Sequence, residues 1–240
     1  MLFELVKDIV KLTSIVAALY MAIRYFIRNK RPSLSEALEK RRLALLFGLV
    51  LLVLALKIGE DVLGGESGPL DKALLLFIHS YFPPSLTPFF GAITFTGSSK
   101  FLFPFTAFTV LLLILFHQHS EALLLAVSQI SAALVIVIIK TAVARDRPAL
   151  WETDWYWGAS FPSGHTLGVA TFATAATLCV LKMKPGALGI AMTLATLWIF
   201  LVGLSRLVLG VHWPTDVLAA ACIGTFLPLA IKVLIHFQRS

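Results

Sequence analysis

The stretch 122–140, ALLLAVSQISAALVIVIIK, decides the fold. In water its Val- and Ile-rich second half would favour extended chain, because β-branched side chains are stiff and pack well on a pleated surface. Only Ser128, Gln129 and Ser131 interrupt the apolar run before Lys140, and its length matches the about 20 residues that carry a helix across ~30 Å of hydrocarbon. A lone strand would leave its N–H and C=O groups unpaired in lipid, so the stretch is read as a membrane-spanning helix.

Five further runs carry the same signal: 43–58 extending to near 62, 100–116, 166–181, 187–206 and 215–235. Only 14% of the 240 residues are charged, against about 25% in a soluble domain, and the mean hydropathy is +0.89. A globule of this size could not be covered by so few charges. The chain therefore reads as an all-α polytopic membrane bundle of six core helices, and a soluble enzyme, a secreted disulfide scaffold and a disordered tail are excluded. Cys179 and Cys222 lie in apolar runs, without disulfide or metal spacing. The net charge of +7 is assigned to membrane orientation and not to nucleic acid.

The N-terminus admits two readings. Glu4, Lys7, Asp8 and Lys11 lie at helical spacing before an apolar run broken by Arg24, which fits an interfacial amphipathic helix or an extra span. Acidic residues ahead of the apolar run disfavour a cleavable signal. Residues 1–42 are thus taken as an N-terminal helix and basic linker (Arg28, Lys30, Arg31, Pro32, Lys40, Arg41, Arg42), and 43–240 as the membrane-embedded domain. Gly64, Gly65, Gly68 and Pro69 break the chain, residues 70–82 are amphipathic, and PPSLTPFF (83–90) reads as a turn, giving short helices along the membrane surface.

The dense basic linker places its side in the cytoplasm. Counting spans puts HQHSE (117–121), KMKPG (182–186) and Arg239 inside, and 59–99, 141–164 and 207–214 outside. Lys140, Arg145, Arg147 and Arg206 then fall on the outer face, against the orientation bias, and basic residues there need another reason. The expected location is the inner (cytoplasmic) membrane, with this cluster facing the periplasmic or extracytoplasmic side.

Three blocks meet at that face: KTAVARDRP (140–148), FPSGHT (161–166) and SRLVLGVHWPTD (205–216). They supply Lys140, Arg147, Arg206, Ser163, Gly164, His165, His212 and Asp216, a set suited to a tetrahedral oxyanion beside two imidazoles. Arg offers a planar fork of donors and Lys a compact charge. If the helix from 122 continues, Lys140 and Arg147 share a face two turns apart and Pro148 ends it. Ser163 is an expected N-cap, Gly164 admits close backbone approach, and the helix N-terminus offers unpaired N–H groups to an anion. Pro214 suits a first helical turn. Asp216, four residues after His212, is placed to accept from one ring nitrogen and leave the other nucleophilic. The chemistry expected is attack of His212 on phosphorus, protonation of the leaving oxygen by His165, and hydrolysis of the phosphohistidine by water that His165 activates.

These blocks resemble the signature of the type 2 phosphatidic acid phosphatases (PAP2), whose fold is shared with vanadium haloperoxidases. The pattern K-x6-R-P, P-S-G-H and S-R-x5-H-x3-D stands unbroken at Lys140 to Arg147–Pro148, Pro162 to His165, and Ser205–Arg206 to His212 to Asp216. The resemblance covers roughly 87–237 and leaves the N-terminal helix outside. It implies dephosphorylation of lipid phosphates without metal or other cofactor, with His212 as nucleophile. Expected substrates are undecaprenyl diphosphate, phosphatidylglycerol phosphate, phosphatidate or a lipid A phosphate, drawn laterally from the bilayer. The sequence selects neither the lipid nor an oligomeric state.

Other readings were weighed. A lipid-to-lipid phosphotransferase shares the covalent step. An anion or lipid transporter explains the cations but not the His–Asp pair, and it predicts polar residues deep in the spans. A vanadate-dependent halide oxidase fits poorly with membrane spans. His79, His117, His119 and His236 are read as helix-end residues, and Arg145 and Asp146, matching no block position, as a mutual pair or solvent-facing. GAITFTGSSK (91–100) lacks the spacing of a P-loop and is read as a turn before a span. Trp151, Trp155, Tyr156 and Trp157 are read as an interfacial aromatic belt that also lines the lipid's approach.

Overall fold

The computed structural model describes residues 2–30, 39, 42–151, 153 and 158–237. They form nine α-helices: α1 (Leu2–Lys30), α2 (Arg42–Leu63), α3 (Gly68–Tyr81), α4 (Thr87–Phe95), α5 (Ser99–Leu115), α6 (His119–Val143), α7 (Gly164–Met183), α8 (Leu188–Val208) and α9 (Pro214–Phe237). Among the described residues no strand occurs, so the all-α bundle is the observed class. The Val- and Ile-rich stretch is helical throughout, as the bilayer requirement dictated. The basic linker residues Arg31, Pro32, Lys40 and Arg41, together with Arg239, lie outside the described residues.

Among the described residues, seven stretches are long and apolar enough to cross a membrane: Val6–Asn29, Arg42–Leu63, Pro84–Leu115, His119–Val143, Gly164–Met183, Pro185–Val208 and Pro214–Ile235. The first is the N-terminal helix, which qualifies by length and composition and packs on α2. α3 lies where the amphipathic segment was read. The turn expected at 83–90 is shorter than its span: Pro84–Leu86 is a single 3₁₀ turn, and α4 starts at Thr87. Pro88 sits in the first turn of that helix, where a missing N–H costs nothing.

α7 and α9 form the centre. α7 is enclosed by α6, α8 and α9, and α9 packs on α2, α6, α7 and α8. The core is built from Leu125, Val169, Phe172, Ala175 and Val202. Phe172 continues it outward, with Phe105 at 4.9 Å and Trp198 at 5.8 Å between ring centroids. α9 approaches α7 so closely that a Cβ on Gly224 would lie 2.5 Å from the Leu167 carbonyl oxygen and 2.8 Å from the Ala170 Cβ.

The two ends of the bundle differ in chemistry. One end holds the start of α6 and the end of α7, joined by a 2.7 Å ion pair between Lys182 and the buried Glu121. His117 and His119 lie at this end, 6.1 Å apart. The other end gathers the C-termini of α6 and α8 and the N-termini of α7 and α9, and all three sequence blocks with them.

Gly224→Ala forces a methyl into the Leu167 backbone and should lower stability by about 1–3 kcal/mol, as overpacking does. Gly186→Ala is the control, because nothing lies within 4 Å of its added Cβ. Thermal midpoints in detergent should separate the two variants.

Candidate active site

Each helix end contributes through its own local geometry. α6 stops at Val143 because Ala144 adopts a left-handed conformation (φ 49°, ψ 33°), its N–H bonding the Lys140 carbonyl. The helix therefore does not run on to Pro148, and Lys140 and Arg147 do not share a helical face, contrary to the spacing argument. They meet through the loop that follows. Lys140 Nζ donates to the Ala159 carbonyl. Arg147 Nε donates to Gly158 O at 2.9 Å and its Nη1 to Val211 O at 2.8 Å. Arg206, 1% exposed, donates from Nη1 to Thr94 Oγ1 on α4 at 2.6 Å. In these contacts the cations are oriented by carbonyls and a hydroxyl, which fix position without cancelling charge.

Ser163 stands at the N-cap position of α7, but its hydroxyl caps no backbone N–H. It pairs with Thr166 Oγ1 at 3.0 Å, while the Ser163 N–H donates to the Asp216 carbonyl at 3.2 Å. The starts of α7 and α9 are thereby tied together. Gly164 borders Ile136, 3.7 Å from an added Cβ, so packing alone does not demand glycine there. His165 lies in the combined field of Arg206, His212, Arg147 and Lys140, and its Cβ would stand 3.2 Å from one added to Gly97.

His212 is 2% exposed and Asp216 fully buried. Pro214 opens α9, and Asp216 falls in its first turn. His212 Nδ1 lies 3.4 Å from Asp216 Oδ2, and Nε2 lies 3.4 Å from Arg147 Nη1. A guanidinium only donates, so Nε2 presents its lone pair and the ring proton belongs on Nδ1, toward the carboxylate. Burial, then the charges of Arg206, Arg147 and Lys140, hold the imidazole well below its usual basicity. The ring is neutral, the form that can act as a nucleophile.

All eight residues singled out from the sequence converge at this end. The structure adds residues that the sequence reading missed. Arg145 neither pairs with Asp146 nor faces solvent alone: it bonds Asp216 Oδ1 at 2.7 Å and Asp71 Oδ2 at 2.6 Å. Asp146 instead offers its carbonyl to Ser160 Oγ and Trp213 Nε1, both at 3.0 Å. Thr94 supports Arg206. Trp151 stacks on His79 at 3.9 Å between centroids, and it covers Gly210, where φ is +68° and an added Cβ would strike the indole at 2.6 Å. Trp155, Tyr156 and Trp157 of the aromatic loop lie outside the described residues. Asp71 gave no signal because it hides in an amphipathic helix. Arg145 gave one, a basic residue on the face expected to lie outside, but with no identifiable partner.

A neutral imidazole backed by a carboxylate, in the field of three oriented cations at one end of an apolar helical bundle, defines a membrane protein with a buried oxyanion centre. Residues 121–240 match the PAP2 superfamily, and the chain belongs to it. Phosphatidylglycerophosphatase B of Bacillus subtilis is 27% identical over 187 residues, 77% of this chain and 90% of that protein. Undecaprenyl-diphosphatase of Sulfolobus acidocaldarius is 29% identical over 185 residues, 75% and 85% of the two chains. Among solved structures, a transmembrane PAP2-type phosphatidylglycerolphosphate phosphatase from Bacillus subtilis superposes with a TM-score of 0.70 at 25% identity, covering 81% of this chain and 96% of the other. LpxE of Aquifex aeolicus gives 0.56 at 28% identity, covering 69% and 95%. The protein is a multi-pass membrane enzyme of the phosphoric ester hydrolase class.

Because the folded state keeps His212 neutral while an unfolded chain protonates it near pH 6.5, the neutral ring contributes stability that is fully present above about 6.5 and lost as pH falls below it, by up to about 1.4 kcal/mol per pH unit. His212→Gln removes that proton linkage. Below pH 6.5 the thermal midpoint of the wild type in detergent should therefore fall more steeply than that of His212→Gln.

Proposed function

We propose that the protein hydrolyses a lipid phosphate or diphosphate headgroup at the extracytoplasmic membrane face through a phosphohistidine on His212. The observation that carries this reading is the two-sided setting of the His212 ring: a carboxylate at Nδ1 and a guanidinium at Nε2. Arg147, on the Nε2 side, is placed to hold the phosphoryl oxygens where the lone pair points. Lys140 and Arg206 add charge for the equatorial oxygens, whose stabilisation dominates phosphoryl transfer. The N-terminus of α7 from Gly164 onward adds backbone donors, and Ser163, whose own N–H is held by the Asp216 carbonyl, fixes the start of that helix.

In the first step the Nε2 lone pair forms the P–N bond while the bond from phosphorus to the leaving oxygen breaks. The dianionic headgroup offsets the surrounding cations, so His165 enters the step as the imidazolium and gives its proton to that oxygen. In the second step water attacks phosphorus, His165 takes the water's proton, and the P–N electron pair returns to Nε2. Asp216 stabilises the cationic ring formed between the steps. The charge that a metal would supply comes here from three side chains, so the reaction proceeds without one.

Candidate substrates are phosphatidylglycerol phosphate and undecaprenyl diphosphate, which the relatives' names support, together with phosphatidate and a lipid A phosphate. The membrane face follows from the basic linker before α2, and Lys182 and Lys184 between α7 and α8 agree with it. The apolar bundle surface around the site would let a lipid approach from within the bilayer.

Phosphate release from a panel of these lipids, compared by kcat/KM, identifies the substrate. His212→Ala should lower turnover by about 10⁴-fold or more with helix content intact by circular dichroism. Retained turnover would remove the nucleophile assignment. EDTA should leave activity unchanged, and vanadate should inhibit as a five-coordinate mimic. Strong dependence on a divalent cation would overturn the metal-free mechanism.

A further inference from the structure

Asp71 is a fully buried carboxylate on α3, a helix that otherwise exposes Leu70, Leu74, Leu76 and Phe77. A buried charge on such a helix is costly unless it is paired and hydrogen-bonded. Asp71 is both. Its Oδ1 accepts the Thr215 N–H at 2.9 Å, and its Oδ2 accepts Thr215 Oγ1 and Arg145 Nη2, each at 2.6 Å. Thr215 lies in the first turn of α9, whose N–H groups have no partner within the helix. Asp71 thus caps α9 from a different helix.

Arg145 completes the arrangement. Nη2 reaches Asp71 and also Ser67 Oγ at 3.2 Å, while Nη1 reaches Asp216 Oδ1 at 2.7 Å and Thr215 Oγ1 at 2.9 Å. Its guanidinium carbon lies 5.5 Å from the Trp213 ring centre. One planar fork therefore spans two carboxylates, a geometry that a lysine cannot reproduce.

The hydrogen-bond lengths around Asp216 show which contact governs which. Its carboxylate is held by two short bonds, Arg145 at Oδ1 and the Trp213 N–H at Oδ2, the latter 2.8 Å. The contact to His212 is 3.4 Å. The short bonds fix the plane of the carboxylate against which the imidazole lies, and the Ser160 backbone bonds the same ring.

We propose that Arg145, anchored by Asp71, is a positioning residue for the reaction: it fixes the Asp216 carboxylate and so aims His212 Nε2 at phosphorus. This rests on the assignment of His212 as nucleophile. Asp71 lies outside the residues that match the superfamily, and through Arg145 it would bring α3 into the catalytic apparatus.

The test is steady-state kinetics of Arg145→Lys, Asp71→Asn and His212→Ala, each with a lipid phosphate and with a small soluble phosphomonoester. Arg145→Lys keeps the charge and loses the fork. Its kcat should fall by about 10²-fold, the effect of a misplacement of about 1 Å, on both substrates with KM unchanged. Asp71→Asn is nearly isosteric and keeps an acceptor for Thr215, so it should fold and show a smaller fall of the same kind. If Arg145→Lys fails to fold, Asp71→Asn decides. Wild-type kcat in the folded variants, or a change confined to KM for the lipid, would overturn the positioning role and leave Arg145 a charge-balancing or lipid-access residue. Turnover retained in His212→Ala would remove this inference and the proposed mechanism together. An inactive His212→Ala beside fully active Arg145 and Asp71 variants would remove this inference alone.

Discussion

Asp216 is the residue on which the site's construction depends. Its carboxylate is wholly buried, and an unpaired charge there would cost several kcal/mol. The chain answers with donors from separate segments: Arg145 from the loop after α6, the Trp213 N–H from the loop before α9, and the His212 ring. The Asp216 backbone carbonyl takes the Ser163 N–H from the start of α7. Three sequence blocks therefore close on one residue. That closure is possible because α7 and α9 cross tightly at Gly224, which brings their N-termini side by side. Packing in the apolar interior and ion pairing at the bundle's end are thus one constraint viewed at two depths.

Much of this architecture could be read from the residues. In lipid a backbone must satisfy itself, so length and the absence of charge define each span, and the observed helices extend the predicted runs by only a few residues. The misreadings lie where that rule has no force. PPSLTPFF lies at a surface, and proline there is compatible with both a turn and a helical first turn; the chain uses both in succession. The span was read over 122–140, and a continuation to Pro148 would have put Lys140 and Arg147 on one face; nothing local in KTAVARDRP marks Ala144 as the stop. A left-handed alanine is a position that tertiary contacts impose, here by drawing Arg145 inward to two carboxylates.

The site was readable for a different reason. Lys140, Arg147, Arg206, His165, His212 and Asp216 stand at fixed spacings around helix ends, and in a membrane protein helix ends on one face must meet. The count of spans alone brings them together. Their partners were not readable. Asp71 is separated from Arg145 by two spans, and Thr94 lies in a segment that read as a turn. A buried acid on an amphipathic surface helix is indistinguishable in sequence from a solvated one. Ser163 shows the same limit at smaller scale: its position was correct, but its hydroxyl satisfies Thr166 and not the helix N-terminus.

The distribution of acceptors carries the argument one step further. Six basic or imidazole groups crowd this end, and the carboxylates Asp71 and Asp216 form ion pairs with Arg145, while carbonyls and a hydroxyl orient Lys140, Arg147 and Arg206. Burial comes first in holding down the basicity of His212, and the charges of Arg206, Arg147 and Lys140 add to it. The same three charges therefore serve two ends: together with burial they keep the imidazole neutral, and they suit a dianion. Once such an anion offsets them, the electrostatic penalty on a cationic ring falls, at the stage where the proposed intermediate needs Asp216 to stabilise one. Such preorganisation favours a bound anion, while Arg145, the cation paired with carboxylates, stands behind the ring and not in front of it.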